Sequence, residues 1–241
     1  ITSDVVWDND GVVTVTWTTS DGGSGIDDCT LTVAGQTHDC SAGDGTADFT
    51  VADGADYTAN IAITDVAGNS GSSNTDTFSM DNTDPAAAIT STFAWDNDGS
   101  VDIAYTSSDG GSGIASCTIT MSDGDTADCL ANASPATFAM DDTASGTASI
   151  TITDVAGNSF TTADFTFGVD DTDPVAAITS DVVWDNDGVV TVTWTASDAT
   201  SGINTCTLTM SDAQTADCSG GDGTADFTMA DGAGYTASIA I

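Results

Sequence analysis

The sequence repeats itself, and this repetition is the feature that most limits how the chain can fold. The run ITSDVVWDNDGVVTVTWT begins at Ile1, returns with substitutions at Ile89 and returns unchanged at Ile178, so the period is 88 to 89 residues. We therefore predict three copies of one domain, at residues 1–88, 89–177 and 178–241. The third copy stops before the segment that aligns with residues 76–80, so we expect it to lack its last strand. A longer array and a strand supplied by a neighbouring molecule would both explain this.

Within each copy, apolar and polar residues alternate, as they do in a half-buried β-strand. In VVTVTWT, the side chains of Val13, Val15 and Trp17 fall on one face and three threonines fall on the other. The pattern predicts a strand here and further strands at 29–33, 47–51, 57–64 and 76–80. Aromatic residues at repeated positions are expected in the core: Trp17, Tyr105, Trp194, Phe49, Phe138 and Phe227. Roughly seven short strands in each copy fit an antiparallel two-sheet sandwich.

The charged residues point to the same fold class. The chain has 38 acidic residues and no lysine or arginine, and every acidic residue is an aspartate. Glu, Lys and Arg favour helices, whereas Asp, Asn, Gly, Ser and Thr favour turns and strands, so we predict an all-β protein. A formal charge of −38 makes the compact chain repel itself. Either molar salt, which shortens the screening length to about 3 Å, or bound divalent cations would offset this repulsion.

The same composition excludes several function classes. Without lysine or arginine the chain has no side chains to neutralise phosphates or anionic lipids, so we expect no nucleic-acid binding. No apolar run approaches the roughly 20 residues of a membrane span, so we expect no membrane insertion of this segment. With no glutamate, no lysine and a single histidine, we also expect no enzymatic activity.

Three sequence runs resemble a known family. SDGGSGI, YTANIAITDVAGNS and FSMDNTDP are similar to segments of the bacterial immunoglobulin-like repeats found in large extracellular adhesins and surface fibres. The resemblance implies tandem immunoglobulin-like antiparallel β-sandwich domains at an extracellular or cell-surface location. It implies a structural array that self-associates into a fibre, filament, sheath or stalk, or alternatively an adhesin segment that binds glycan or a surface protein. The short loops are similar in all copies, which favours the structural interpretation.

Six cysteines occur as two in each copy, and their spacing predicts local disulfides. The expected pairs are Cys29 with Cys40, Cys117 with Cys129, and Cys206 with Cys218. Each would close a hairpin, unlike the bridge between sheets in antibody domains. A zinc site is the alternative, but His38 is the only histidine and each copy has two cysteines. The run Asn132-Ala133-Ser134 is an N-glycosylation sequence, with Pro135 following it.

The acidic run WDNDG at Trp7, Trp95 and Trp184 is typical of a hairpin turn, yet it has one carboxylate more than a turn requires. Asp-x-Asp-Gly also begins many calcium loops. In an immunoglobulin-like fold, loops at one pole of a domain meet the next domain, so aspartates should gather there. We therefore predict calcium at the joints, with high-salt adaptation as the alternative.

The candidate calcium ligands form one set for each joint. At the first joint they are Asp8, Asp10, Asp53, Asp81, Asp84, Asp109, Asp154 and Asn158. At the second joint they are Asp96, Asp98, Asp141, Asp142, Asp170, Asp171, Asp173 and Asp198. Because Ca²⁺ takes six to eight oxygen ligands, only part of each set can bind one ion.

Overall fold

The structure is a computed structural model that describes residues 1–3, 6–131, 133–180, 187–232 and 234–241. Every regular secondary-structure element in these ranges is a β-strand, which confirms the predicted all-β class, and most neighbouring strands pair in the antiparallel direction. Over the same ranges there is no helix with the length and apolar character needed to cross a membrane. The predicted glycosylation residue Asn132, and residues 184–186 of the third WDNDG run, lie outside the described residues.

The strands are numbered in chain order. The first sequence copy contains β1 (Thr2–Ser3), β2 (Trp7–Asp8), β3 (Val12–Trp17), β4 (Ile26–Val33), β5 (Gln36–Asp39), β6 (Gly45–Thr50), β7 (Gly54–Asp65), β8 (Ser70–Ser72) and β9 (Asp76–Met80). Strand β10 (Ala86–Ile89) spans the boundary between the first and second copies. The second copy contains β11 (Trp95–Asp96), β12 (Ser100–Ile103), β13 (Tyr105–Ser108), β14 (Ile114–Met121), β15 (Thr126–Asp128), β16 (Ala136–Ala139), β17 (Thr143–Asp154), β18 (Ser159–Thr161) and β19 (Phe165–Val169). The remainder are β20 (Val175–Ile178), β21 (Val189–Ser197), β22 (Thr207–Met210), β23 (Thr215–Asp217), β24 (Gly223–Thr228) and β25 (Ala237–Ala240).

The chain divides into two compact units. Unit 1 comprises Ile1–Thr90, Ala104–Ala136 and Ala148–Asp164, and unit 2 comprises Ser91–Ile103, Thr137–Thr147 and Phe165–Ile241. The domain boundaries expected from the sequence period stay predictions.

Unit 1 contains the sandwich of the first copy. One sheet has the strand order β1-β3-β6, and the other has the order β2-β9-β7-β4-β5 with β8 beside β7. Side chains from both sheets form one core cluster that includes Val13, Val15, Leu31, Ile61 and Phe78. The same unit holds the antiparallel pairs β10–β13, β14–β15, β14–β17 and β17–β18.

Unit 2 contains the sheets β20-β21-β24 and β23-β22-β25, and β11 pairs in parallel with β19. Its core cluster includes Val192, Trp194, Leu208, Met210 and Phe227. The alternation of buried and exposed residues along β21 repeats that of β3, because both strands carry the sequence VVTVTW.

The aromatic residues expected in the core are buried. The three residues at the Trp17 position are 5 to 7% exposed, and the three at the Phe49 position are 3 to 6% exposed. The predicted strand 57–64 is longer in the structure, since β7 runs from Gly54 to Asp65. A register shift between Gly54 and Tyr57 lets Gly54 pair with Met80, and period-two alternation does not reveal such a shift.

The six cysteines form the three expected disulfides, with Cα–Cα distances of 4.9, 5.1 and 4.8 Å. In the first copy, Cys29 lies in β4 and Cys40 follows β5, the strand paired with β4. The N–H of Cys40 also donates to the carbonyl of Cys29 at 3.0 Å. The bond therefore closes a hairpin and lies on the core side, as both cysteines are 1% exposed.

A threonine and an aspartate face each other across neighbouring strands in every copy. The Thr14 hydroxyl donates to Asp48 at 2.8 Å, and the Thr191 hydroxyl donates to Asp226 at 2.6 Å. In the second copy the two residue types exchange strands: Asp102 stands at the Thr14 position, and Thr137 donates to it at 2.5 Å. Each site thus keeps one carboxylate and one donor.

We expect Thr137→Asp to destabilise the chain by about 1 kcal/mol, because two carboxylates would then face each other across the sheet. The double variant D102T/T137D restores one donor and one carboxylate, in the arrangement of the first copy, and should recover most of the loss. Urea denaturation of the wild type, the two single variants and the double variant forms the cycle. A double variant less stable than T137D would contradict the pairing.

Candidate metal centre

Three carboxylates converge in unit 1. Asp81 follows β9, Asp109 follows β13, and Asp154 is the last residue of β17. One oxygen from each carboxylate lies within 4.8 Å of the other two. The side chains of Asp81 and Asp154 are 1% and 2% exposed, and Asp109 is half-buried. These three residues belong to the candidate set of the first joint, since Asp81 lies in the first sequence copy and the other two residues lie in the second.

Asp81 is fixed by backbone contacts on both sides. Its N–H donates to the carbonyl of Asp8 at 2.8 Å, which continues the parallel pairing of β2 with β9. Its own carbonyl accepts a hydrogen bond from the side-chain amide of Asn158 at 2.7 Å. Its Oδ2 atom accepts from the N–H of Ser112 at 2.5 Å. The end of β9 is thereby held by a loop and a turn of the second copy.

Asp109 begins a tight loop and keeps one carboxylate oxygen without a hydrogen bond. Its Oδ2 atom accepts the N–H groups of Gly111 at 3.0 Å and Gly113 at 2.6 Å. Its Oδ1 atom is buried and accepts no hydrogen bond from the described residues. A buried acceptor without a donor costs free energy, and a cation bound by the three carboxylates would offset this cost.

Asp154 is held by the turn that follows it. Its Oδ1 atom accepts the N–H groups of Gly157 at 2.6 Å and Asn158 at 2.8 Å. Its Oδ2 atom accepts from the Asn158 side-chain amide at 2.7 Å. These contacts fix the direction of the carboxylate before any ligand binds.

The residues of the first joint fit a hard divalent cation. Three aspartates supply oxygen ligands only, and the chain has no lysine or arginine that could neutralise them. Bringing three like charges within 4.8 Å in a buried place is unfavourable unless an opposite charge lies between them. Oxygen donors of this kind suit Ca²⁺ or Mg²⁺.

The other candidates of the first joint have different roles in the structure. Asp8 accepts the N–H of Asp10 at 2.9 Å, and Asp10 accepts the N–H of Val12 at 2.8 Å, so both carboxylates stabilise the WDNDG turn. Asp53 accepts from the N–H of Asn82 at 2.9 Å and the hydroxyl of Thr83 at 2.7 Å. The Thr83 hydroxyl and the Asn82 N–H lower the pKa of Asp53.

Asp84 is exposed. The structure therefore brings together Asp81, Asp109, Asp154 and Asn158, and it places Asp8, Asp10, Asp53 and Asp84 outside the group of three carboxylates.

Unit 2 repeats part of this arrangement at the second joint. Asp170 follows β19, its N–H donates to the carbonyl of Asp96 at 2.9 Å, and its Oδ2 atom accepts the N–H of Ser201 at 2.9 Å. The hydroxyl and the N–H of Ser201 lower the pKa of Asp170. Asp198 accepts the N–H groups of Thr200 at 3.1 Å and Gly202 at 2.7 Å, as Asp109 does in its own loop.

The remaining candidates of the second joint lie around these two residues. Asp96 accepts the N–H of Asp98 at 3.1 Å within a turn, and the Ser100 hydroxyl donates to Asp98 at 2.6 Å. Asp141 and Asp173 are exposed. Within the described part of unit 2, no three carboxylates meet as they do at the first joint.

Asp142 and Asp171 form a carboxylate pair. Asp142 accepts the N–H of Asp171 at 2.9 Å and the hydroxyl of Thr172 at 2.6 Å, and the Thr172 hydroxyl contributes most to lowering the pKa of Asp142. A hydrogen bond with the Asp142 carboxyl, together with the charge of Asp142, raises the pKa of Asp171. At the equivalent place in the first copy stands Asn82, which has no charge.

We expect Asp171→Asn to stabilise the chain at neutral pH. A carboxyl whose pKa is raised on folding lowers stability as pH rises above its unfolded value of about 3.9, so the variant gains stability above that pH. The difference should shrink to nothing as pH falls below about 3.9. Thermal unfolding from pH 3 to pH 8 would measure it, with the exposed Asp173→Asn as control. A variant no more stable than the wild type at pH 7 would contradict this prediction.

Two contributors to the first joint were not predicted from the sequence. Ser112 supplies a backbone N–H, which no side-chain pattern reveals. Gly111 supplies space, because a Cβ atom placed there would lie 2.3 to 2.5 Å from the carboxylate atoms of Asp81. The sequence does give one signal for Gly111. The first two copies have glycine at this position of the run SDGGSG, whereas the third copy has Thr200.

No protein-family model and no curated protein sequence matches the chain. Among solved structures, it is similar to the fibronectin(III)-like modules of Clostridium thermocellum CbhA, at 16% identity and a TM-score of 0.38, over 68% of this chain and 88% of that one. It is similar to a structure from a 1.5-MDa bacterial ice-binding adhesin at 20% identity and a TM-score of 0.39, over 92% and 83%. Chicken CNTN1 FN1–FN3 domains match at 10% identity and a TM-score of 0.32, over 95% and 84%.

Proposed function

We propose that the chain is a non-enzymatic structural segment of an extracellular or cell-surface array, and that a calcium ion at the first joint stiffens it. The single observation that supports this most is the group formed by Asp81, Asp109 and Asp154, with the buried Oδ1 atom of Asp109 unpaired. A cation there would tie the end of β9 to the loop after β13 and the end of β17.

Calcium suits this place better than magnesium for two reasons. Carboxylates held by their own turns cannot easily adopt the strict octahedron that Mg²⁺ requires, whereas Ca²⁺ tolerates irregular geometry. Asp109 and Asp154 are held in this way, through the N–H groups of Gly113 and Asn158 among others. Each carboxylate can also bind Ca²⁺ through one oxygen or through both.

The wider chemistry of the chain supports an architectural role outside the cell. Three disulfides persist in an oxidising environment and close short hairpins. Four of the aspartates with lowered pKa values accept hydrogen bonds within their own turns, as Asp39 does from Ser41 and Asp217 does from Ser219. These contacts stabilise turns, which is a structural role for the aspartates concerned.

We expect micromolar to millimolar Ca²⁺ to raise the thermal stability of the chain, because a ligand bound only by the folded state adds about 2.7 kcal/mol at a concentration of 100 Kd. The variant Asp154→Asn should lose this response. The exposed turn residue Asp123 provides a matched control, Asp123→Asn, that should keep it. Calorimetry and X-ray scattering in 0.15 M NaCl, with and without EDTA, would measure the stability and the maximum dimension.

The salt-adaptation alternative gives a different result. If NaCl at matched ionic strength stabilises the chain as much as CaCl₂ does, and Asp154→Asn behaves like the wild type, then the acidic side chains act as solvated surface charges and do not bind calcium. An unchanged maximum dimension after chelation would likewise contradict a stiffening role for calcium.

A further inference from the structure

The loop and turn that hold Asp81 occur twice in unit 1. In the second copy they are residues 109–113 and 154–158, and in the first copy they are residues 21–25 and 65–69. Both pairs have the sequences DGGSG and DVAGN. We call residues 21–25 and 65–69 the first-copy pole.

Most hydrogen bonds within the two pairs match, although the Gly157 N–H donates to the Asp154 carboxylate and the Gly68 N–H donates to the Asp65 carbonyl. Asp21 accepts the N–H groups of Gly23 at 2.9 Å and Gly25 at 2.7 Å, as Asp109 does in its loop. Asp65 accepts the backbone N–H and the side-chain amide of Asn69, both at 2.7 Å, as Asp154 does from Asn158. The first-copy pole therefore has the geometry of a site that, in the second copy, holds an acidic strand end.

The loop and the turn also join each other in the same way. The N–H of Ala67 donates to the Ser24 hydroxyl at 3.2 Å, and the N–H of Ala156 donates to the Ser112 hydroxyl at 3.0 Å. The N–H of Val66 donates to the carbonyl of Gly25 at 3.0 Å. The pole is thus assembled before any partner arrives.

What differs is the occupant. In the second copy, Asp81 takes the Ser112 N–H and one hydrogen of the Asn158 amide, and Asn158 is 9% exposed. In the first copy, no described residue accepts from the Ser24 N–H, and the Asn69 amide contacts only Asp65 while the residue is exposed. The pole therefore has two N–H donors and two carboxylates, and among the described residues it lacks the third carboxylate that Asp81 supplies in the second copy.

We infer that the first-copy pole is a docking surface for an acidic strand end of the type Met-Asp-x-Thr-Asp-Pro, as found at residues 80–85. The incoming aspartate accepts the Ser24 N–H through its carboxylate and the Asn69 amide through its carbonyl. A divalent cation shared with Asp21 and Asp65 offsets the three charges. The inference rests on the proposed cation function, which it extends from within the chain to a partner.

Two features of the pole suit this occupant, and the first of them disfavours a basic side chain. The free donors are N–H groups, and a lysine or arginine side chain has no acceptor with which to pair them. Gly23 leaves the surface open, since the nearest atom to a Cβ placed there is an Asp21 oxygen at 3.8 Å. A carboxylate can therefore lie over Gly23 as the Asp81 carboxylate lies over Gly111.

The test uses the full chain labelled with ¹⁵N and a synthetic peptide of residues 76–86, DTFSMDNTDPA, in millimolar CaCl₂. We expect saturable NMR shifts at the Ser24 N–H and the Asn69 side-chain amide. A peptide with asparagine in place of the Asp81 equivalent should bind about tenfold more weakly, which corresponds to about 1.4 kcal/mol. Asn69→Ala should abolish the shifts, and the exposed Asn74→Ala should leave them unchanged.

The outcomes separate this inference from the cation proposal. If Ca²⁺ shifts the signals of Ser112 and Asp154 but the peptide leaves Ser24 and Asn69 unchanged, the docking surface is overturned and the cation site stands. If Ca²⁺ shifts neither Ser112 nor Asp154, the cation site fails. If the cation site fails but the peptide still shifts the signals of Ser24 and Asn69 without Ca²⁺, the docking surface is supported. If the peptide shifts neither signal, the docking surface is overturned as well. Equal binding of the aspartate and asparagine peptides also overturns it.

Discussion

The substitution Gly111→Ala should weaken calcium binding roughly 10–100-fold, the loss typical when a residue that supports a metal ligand is changed. A Cβ atom at this position would lie 2.3 to 2.5 Å from all three carboxylate atoms of Asp81. The Asp81 side chain is 1% exposed, so it has no free space into which to withdraw. Its carboxylate would have to leave both the Ser112 N–H and the other two aspartates.

The stability of the calcium-free variant should fall as well, by about 1–3 kcal/mol, as overpacking of a buried place usually costs. Two alanine substitutions serve as matched controls. Gly110 has no atom within 4 Å of its added Cβ, and Gly23 stands at the equivalent place in the first copy with open space around it. Neither these glycines nor Gly111 has a positive φ, so alanine fits the backbone at all three places.

Isothermal titration with CaCl₂ and thermal unfolding of the three variants would measure these effects. The third copy indicates how calcium binding could survive a side chain at the Gly111 position. Thr200 stands at the Gly111 position there, and Asp170 still accepts the Ser201 N–H at 2.9 Å. If Asp81 adjusts as Asp170 does, G111A will bind calcium as tightly as the wild type, and glycine is then not required.

The second large effect is expected from the first disulfide. The double substitution C29A/C40A should lower the free energy of unfolding by about 3 kcal/mol, because opening a loop with a sequence separation of 11 returns conformational freedom to the unfolded chain. Lost packing adds to this, since both cysteines belong to the core cluster with Leu31 and Phe49. Hydrogen exchange of the first-copy core would locate the loss.

Single substitutions distinguish the two causes. If loop opening dominates, C29A and C40A should each cost nearly as much as the double variant, because either one removes the bond. If packing dominates, the single effects should add. A double variant whose core amides exchange as slowly as those of the wild type would contradict a stabilising role for the bond.

Local patterns in the sequence predicted the strands and the core. Val13, Val15 and Trp17 are buried while Thr16 is exposed, because neighbouring residues of a strand face opposite sides wherever the strand lies. The disulfides were predictable for a similar reason. A pair of cysteines 11 or 12 residues apart, flanking a turn, meets across one hairpin and needs no knowledge of the tertiary structure.

The candidate site was predictable only in part. The acidic joint was expected, and so were Asp81, Asp109 and Asp154, but they were three among many aspartates of equal standing in the sequence. Asp8 and Asp10 had the stronger motif, yet their carboxylates accept N–H groups of their own turn. An aspartate in a turn can bind its own backbone or a distant ion, and the local sequence is the same in both cases.

The sequence by itself determined the all-β class, the alternation of buried and exposed residues, the hairpin disulfides and the excess of negative charge. Only the tertiary structure decided which carboxylates meet. Asp81 and Asp154 lie far apart in the chain, and their oxygens come within 4.8 Å because β9 ends where the β13 loop and the β17 turn converge. The first-copy pole has the same residue types, yet Asp21 is exposed and Asp65 is half-buried, since burial depends on what packs against a loop.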